Sequence, residues 1–72
     1  MRTEIKIGHL IRETMRNKGL TNRWLAEAIH VDPRTVNKIF NKEIIDTRQL
    51  MLISKALGVD FFKFYSEVLE QD

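Results

Sequence analysis

The sequence predicts an all-α fold, a compact bundle of five short helices, and three observations carry that expectation. Apolar residues recur at the three-and-four spacing of amphipathic helices along most of the chain. Capping and helix-stopping residues punctuate these stripes at short intervals. No run shows the strict alternation of a half-buried strand. Connections of only a few residues then bring successive helices together in one small globule.

The first helix is read from Ile7, Leu10, Ile11 and Met15, at i, i+3, i+4 and i+8. "NKGL" ends it, with Lys18 in the last turn and Gly19 suited to the left-handed position beyond. Thr21 is placed to cap a second helix whose inward stripe is Leu25, Ala28 and Ile29. That helix stops near Ile29, because "HVDP" intervenes. Asp32 caps the third, and Pro33 takes its first position, where a missing N–H costs nothing. The third helix runs to Phe40 or Asn41 and turns Val36, Ile39 and Phe40 inward. Its other face, Arg34, Thr35, Asn37 and Lys38, has donors to spare and no negative charge. After the loop "NKEII", Asp46 opens helix four with Gln49 as capping-box partner, and Leu50, Ile53 and Leu57 form its stripe up to Gly58. Asp60 caps a fifth helix, "FFKFYSEVLEQ", which carries four of the six aromatic residues.

Seventy-two residues predict one domain, residues 1–72, with no room for a second core. A chain 43% hydrophobic and 31% charged is composed like a folded domain, not a disordered tail. Absence of cysteine suits a reducing compartment. No apolar run approaches the roughly 20 residues needed to cross a bilayer, and charge interrupts "MRTEIKIGHL" throughout. A cytoplasmic location without membrane contact is expected. The net charge is only +2, but residues 1–42 hold nine Lys and Arg against four Asp and Glu, whereas residues 43–72 hold three against six. Such a split suits a molecule with one anion-facing side, although a random division of solvated charge produces it too.

Little in the chain points to catalysis. His9 and His30 are the only histidines and there is no cysteine, so no metal is expected. Gly8, Gly19 and Gly58 are too scattered to form a phosphate loop. Ser54 and Ser66 have no histidine or acid at a recognisable spacing. No catalytic residue and no cofactor are expected.

The second and third helices, joined by His30-Val31-Asp32, have the spacing of a helix-turn-helix over about residues 21–41. Any corner between two helices can share that spacing. The longer pattern is more specific: "LTNRWLAEAIHVDPRTVNKIF" followed by "LMLISKALGVDFFKFY" resembles the XRE family, the phage repressor and Cro type of helix-turn-helix protein. Leu25-Ala26, Ile29, Val36, Ile39 and the "KALGVDFF" close carry the resemblance, which covers roughly residues 7 to 66.

The resemblance implies a lambda-repressor-like DNA-binding bundle whose third helix enters the major groove of double-stranded DNA. The family's base-reading positions fall on Pro33, Arg34 and Lys38, flanked by Thr35 and Asn37. Arg and Lys suit guanine, Asn suits adenine, and Pro33 can offer only apolar contact, for instance to a thymine methyl. Asn22, Arg23, Asn41 and Lys42 are the implied phosphate contacts. Trp24 falls at a position that is solvent-facing or near the DNA backbone, open to packing on helix one or to a partner. Phe61, Phe64 and Tyr65 match core positions, which leaves Phe62 and Leu69 on the surface and Val68 able to face either way.

Three departures from the family pattern stand out. His30 occupies the turn position where glycine is common, a left-handed conformation that histidine tolerates with some strain. Met15 and Phe40 stand where an arginine–glutamate pair is frequent, so an apolar contact is expected to replace the ion pair. Lys42 replaces a glycine after helix three, which leaves the exit from that helix open.

The leading expectation is a sequence-specific DNA-binding transcriptional regulator without enzymatic activity. The alternative is a repressor-like module that binds another protein, as an antitoxin or anti-repressor does. The length predicts no separate sensing domain, so control falls to concentration, a partner or a modification. One short recognition helix reads only a few base pairs, so a two-fold homodimer is expected, with the helices roughly 34 Å apart. Phe62, Val68 and Leu69 are its expected interface, unless they close over this chain's own core.

Overall fold

The computed structural model describes residues 5–71, so residues 1–4 and 72 of the expected domain lie outside the described residues. Its helices are α1 (Ile7–Lys18), α2 (Asn22–Ile29), α3 (Pro33–Ile39), α4 (Thr47–Leu57) and α5 (Lys63–Gln71), with no strand among the described residues. The expected all-α architecture is what the chain adopts.

The helix starts follow the cap residues. Thr21 Oγ1 accepts from the Trp24 N–H at 3.0 Å, Asp32 Oδ1 from the Arg34 N–H at 2.8 Å, and Asp46 Oδ1 from the Gln49 N–H at 2.7 Å. Each such cap stabilises its helix by about 1 kcal/mol. Only half of the expected capping box forms at α4, since no bond returns from the Gln49 side chain to Asp46 among the described hydrogen bonds. Gln49 instead lines a surface groove with Ile29, Val31 and Leu52. Asp60 Oδ1 accepts from the Phe62 N–H at 3.0 Å, but it opens a turn over Phe61 and Phe62, and the regular helix begins at Lys63.

Three helices end in the same way. Gly19, His30 and Gly58 take left-handed backbone angles, with φ of 69°, 61° and 68°. The next residue in each case returns its N–H to the last turn: Leu20 to Met15 at 3.0 Å, Val31 to Ala26 at 2.9 Å, Val59 to Ser54 at 3.1 Å. Leu20, Val31 and Val59 are all partly buried against the core. This is the Schellman arrangement, in which a left-handed residue reverses the chain and the apolar residue after it clamps the turn. His30 thus fills a position built for glycine.

The core runs through every helix-forming segment. Ile7, Ile11 and Met15 meet Leu25, Ala26 and Ile29 of α2, Val36, Ile39 and Phe40 at α3, Leu50, Ile53 and Leu57 of α4, and Phe61. Three expectations need correction. Ala28 is exposed, and Ala26 is the buried alanine. At about 100° per residue the two alanines flank the Leu25–Ile29 line symmetrically, so periodicity alone does not choose between them. Packing against both α3 and α4 makes the choice. Around the start of α5, Phe61 in the preceding turn is buried and Phe64 packs half-buried on the core, whereas Val68 is half-buried and Tyr65 is 37% exposed. Phe62, expected on the surface, is half-buried against the core. The fully buried Phe61 fixes this register by anchoring the turn that precedes the helix.

His30→Gly should relieve the left-handed strain while loosening the unfolded chain, for a net effect between neutral and about 1 kcal/mol of stabilisation. Thermal denaturation checks this: an unchanged or raised melting temperature is expected, and a clear fall would contradict the strain.

Candidate nucleic-acid interface

α3 is only seven residues long, and its two faces divide cleanly. Val36, Ile39 and Phe40 are buried, while Arg34, Asn37, Lys38 and Asn41 form an exposed stripe at i, i+3, i+4 and i+7. Pro33 sits exposed at the first position of the helix. Thr35 lies on the flank, half-buried, and donates its N–H to the Asp32 carbonyl at 2.8 Å. Of the five residues expected to read bases, the structure therefore groups Arg34, Asn37 and Lys38 most openly.

Local contacts hold some of these side chains. Arg34 Nε lies 3.6 Å from Asp32 Oδ1, the same oxygen that caps the helix. Asn41 Nδ2 donates back to the Asn37 carbonyl at 3.4 Å. Asn22 and Arg23 open the neighbouring helix, and Arg23 Nε pairs with Glu27 Oε2 at 3.4 Å, one turn along the exposed face. Trp24 is 40% exposed beside them. Among the described residues, no three His, Asp or Glu side chains group as metal ligands.

The exit from α3, left open by the sequence, is set by a glycine of α1. Gly8, in the first turn of α1, donates its N–H to the Lys42 carbonyl at 3.0 Å. It is fully packed: a Cβ there would meet the carbonyl oxygens of Phe40 and Lys42 at 2.7 Å, and that of Ile39 as well. The Lys42 N–H in turn donates to the Ile39 carbonyl at 3.0 Å, which tightens the last turn. A signal was present. Glycine inside an amphipathic helical stripe costs up to about 1 kcal/mol relative to alanine, so it marks a close approach. Met15 and Phe40, expected to replace an ion pair with an apolar contact, both lie in the core at 3% and 6% exposure.

Helices two and three of this bundle thus present a short, acid-poor stripe on a backbone fixed at both ends. A model of the helix-turn-helix family matches residues 11–64. The chain belongs to the XRE-type helix-turn-helix family. As a member it is a DNA-binding transcriptional regulator of the lambda-repressor-like fold. The crystal structure of the clp gene regulator ClgR from C. glutamicum superposes with a TM-score of 0.75 at 25% identity, covering 92% of this chain and 87% of that one. No curated protein matches the sequence. The match spans both helices of the helix-turn-helix unit, the His30 turn, Ile11 and Met15 of α1 and the whole of α4.

Gly8→Ala should force α1 away from the end of α3, because backbone oxygens cannot swing aside as a flexible side chain can. We expect a destabilisation of about 1–3 kcal/mol, as for other overpacked sites. Denaturant titration reads it directly, and a variant as stable as the parent would rule out the close approach.

Proposed function

We propose that the chain is a sequence-specific regulator that places α3 in the major groove and lays α2 across the phosphate backbone, acting as a cytoplasmic, non-enzymatic homodimer. Residues 1–72 serve as one domain on this reading. The observation that carries it is the Arg34–Asn37–Lys38–Asn41 stripe, exposed on a helix whose opposite face is wholly committed to the core.

Arg34 and Lys38 donate to guanine O6 and N7, and the Asn37 amide pairs with adenine. Pro33 meets a thymine methyl, and half-buried Thr35 contributes at the edge of the footprint. Asn22, Arg23, Asn41 and Lys42 hold phosphates and set the register. Arg23 must leave Glu27 to do so, which costs little because exposed pairs at this helical spacing are worth about 0.3–0.5 kcal/mol. Division of labour follows: α3 reads and the other contacts position.

The dimer surface is the outer part of α5. Phe62, Tyr65 and Leu69 follow one another at i, i+3 and i+7, with Leu69 75% exposed and Tyr65 37%. Val68 is half-buried, so it supports the interface from beneath, and Tyr65 takes the place first given to it. Partial burial raises the Tyr65 phenol above its ordinary value, because desolvation disfavours the charged form. An apolar stripe at one end of a small domain fits a second copy meeting it about a two-fold axis.

Two experiments test these parts separately. Arg34→Ala or Lys38→Ala should cost roughly 1–3 kcal/mol on the preferred duplex and relax base preference. Arg23→Ala should weaken all duplexes alike and lower the salt slope by about 0.9. Selection from genomic fragments followed by titration at two salt concentrations measures both; unchanged preference in the two α3 variants would remove α3 as the reader. For the dimer, Leu69→Glu places charge on the exposed stripe without entering the core. Sedimentation should then show monomer, and gel shift on a palindromic site should lose cooperativity. Full cooperativity in the folded variant would place the interface elsewhere.

A further inference from the structure

Asp32 makes more contacts with Arg34 than capping requires. Its Oδ1 accepts from the Arg34 backbone N–H at 2.8 Å and lies 3.6 Å from Arg34 Nε. Its backbone carbonyl accepts from the Thr35 N–H at 2.8 Å, so its own position at the head of α3 is fixed. A single carboxylate oxygen therefore faces both ends of the arginine, the backbone from which the side chain leaves and the first nitrogen of its guanidinium. No other acidic side chain belongs to the segment 28–42.

We propose that Asp32 is a positioning residue for base reading: it orients Arg34 so that the guanidinium presents its two terminal nitrogens to a guanine. This inference rests on the reading that α3 enters the major groove. The chemistry is specific to the atoms involved. Guanidinium carries five N–H donors in a fixed planar fork. At 3.6 Å the Nε–carboxylate contact is an ion pair, longer than a hydrogen bond; drawn in against DNA, it orients the plane and leaves both terminal nitrogens free, and these are the donors an end-on bidentate contact to O6 and N7 uses. In the free protein the pair is exposed, with 91% of the Arg34 side chain and 57% of the Asp32 side chain accessible, and holds only weakly. Closing the groove around it removes water, and the same charge-assisted contact then strengthens. Its negative charge also opposes any phosphate nearby. Asp32 thus weakens binding to arbitrary sequence while sharpening the reading of one base pair. A residue that lowers non-specific affinity and raises discrimination acts on specificity from two directions.

The test is a double-mutant cycle between Asp32→Ser and Arg34→Ala, made in the whole chain. Serine is also a good N-cap, so the melting temperature of Asp32→Ser should stay near that of the parent. First, Arg34→Ala locates the base pair whose identity depends on Arg34. The ratio of dissociation constants for the preferred duplex and the duplex changed at that pair is then measured. Asp32→Ser should reduce this ratio about threefold to tenfold, the scale of coupling between neighbouring groups. It should leave the ratio at base pairs read by Lys38 unchanged. In the Arg34→Ala background the ratio at that pair is already lost, so the arm that separates positioning from a purely structural loss at α3 is the Lys38 pairs, which a structural loss would blunt as well. An unchanged ratio in Asp32→Ser, or an equal fall at the base pairs read by Lys38, overturns the positioning role. So does a preference that Arg34→Ala leaves intact at every base pair, although the regulator reading then survives through other residues. Absence of any preferred duplex for the parent protein overturns both.

Discussion

The approach of α1 to the end of α3 at backbone distance is the contact on which the DNA-facing geometry depends. α3 is seven residues long, far below the length at which an isolated helix holds together in water. Its orientation must come from outside itself. Val36, Ile39 and Phe40 fix its inner face, and Asp32 with Pro33 fixes its start. Its end is fixed by Gly8, whose N–H satisfies the Lys42 carbonyl and whose missing side chain lets the helices touch. Carbonyls at a helix end otherwise lack a partner within the helix. Here the turn after α3 supplies partners, with Asn41 and Lys42 donating to the Lys38 and Ile39 carbonyls, and the first turn of α1 closes that turn at Lys42. A chain with lysine in place of the usual glycine after the third helix still leaves that helix cleanly, because the accommodating glycine is on the facing helix, α1.

The three left-handed helix ends perform a related task. Gly19, His30 and Gly58 each turn the chain within one residue, and Leu20, Val31 and Val59 pin each turn to the core. The angle between α2 and α3 is therefore held by a backbone reversal and an apolar clamp rather than by a polar network. No buried polar or charged residue stands in the core of the described residues, and the one enclosed side-chain oxygen found without a hydrogen-bond partner, Ser54 Oγ, sits at the core's edge on a half-buried residue. A small core gains from this, since each unpaired polar group there would cost about 1–3 kcal/mol of a narrow stability margin. Met15 and Phe40 fit the same pattern, with apolar burial where relatives of this type favour an ion pair. Replacing both partners at once leaves no charge stranded.

Much of this was legible in the sequence because caps and stops are local. Thr21, Asp32 and Asp46 act within three residues of themselves, and the left-handed ends follow from glycine or a tolerant histidine. The outward face of α3 was legible for a similar reason, as four polar residues at helical spacing need only the helix to exist. What escaped depended on neighbours. Gly8 reads as an unremarked glycine until α3 lies across it. Ala26 and Ala28 are equivalent until α3 and α4 both pack on α2. In α5 an almost continuous aromatic run gives no periodicity to read. The register of Phe62 and Tyr65 was therefore decided by where Phe61 anchors. The link between Asp32 and Arg34 was hidden too, since a cap residue gives no sign of which second partner its oxygen will face.

A fixed frame and loosely held side chains have different consequences for binding. Ordering a segment of backbone costs roughly 1–2 kcal/mol per residue, so a recognition helix that formed only on DNA would lose much of its affinity. With α3 held by its cap, its core face and Gly8, that cost is already met in folding. What is left to order is side chains, and long ones such as Arg34 and Lys38 lose up to about 2 kcal/mol each when immobilised. The two ion pairs among the described residues, Arg23–Glu27 and Arg34–Asp32, both engage arginines of the candidate interface and both are solvent-exposed. They differ in what binding asks of them. On the proposed reading, Arg23 turns from its partner to reach a phosphate, whereas Arg34 keeps Asp32 while its terminal nitrogens reach a base. The first pair is then a contact to exchange, and the second a weak bias on the orientation of Arg34 before DNA arrives.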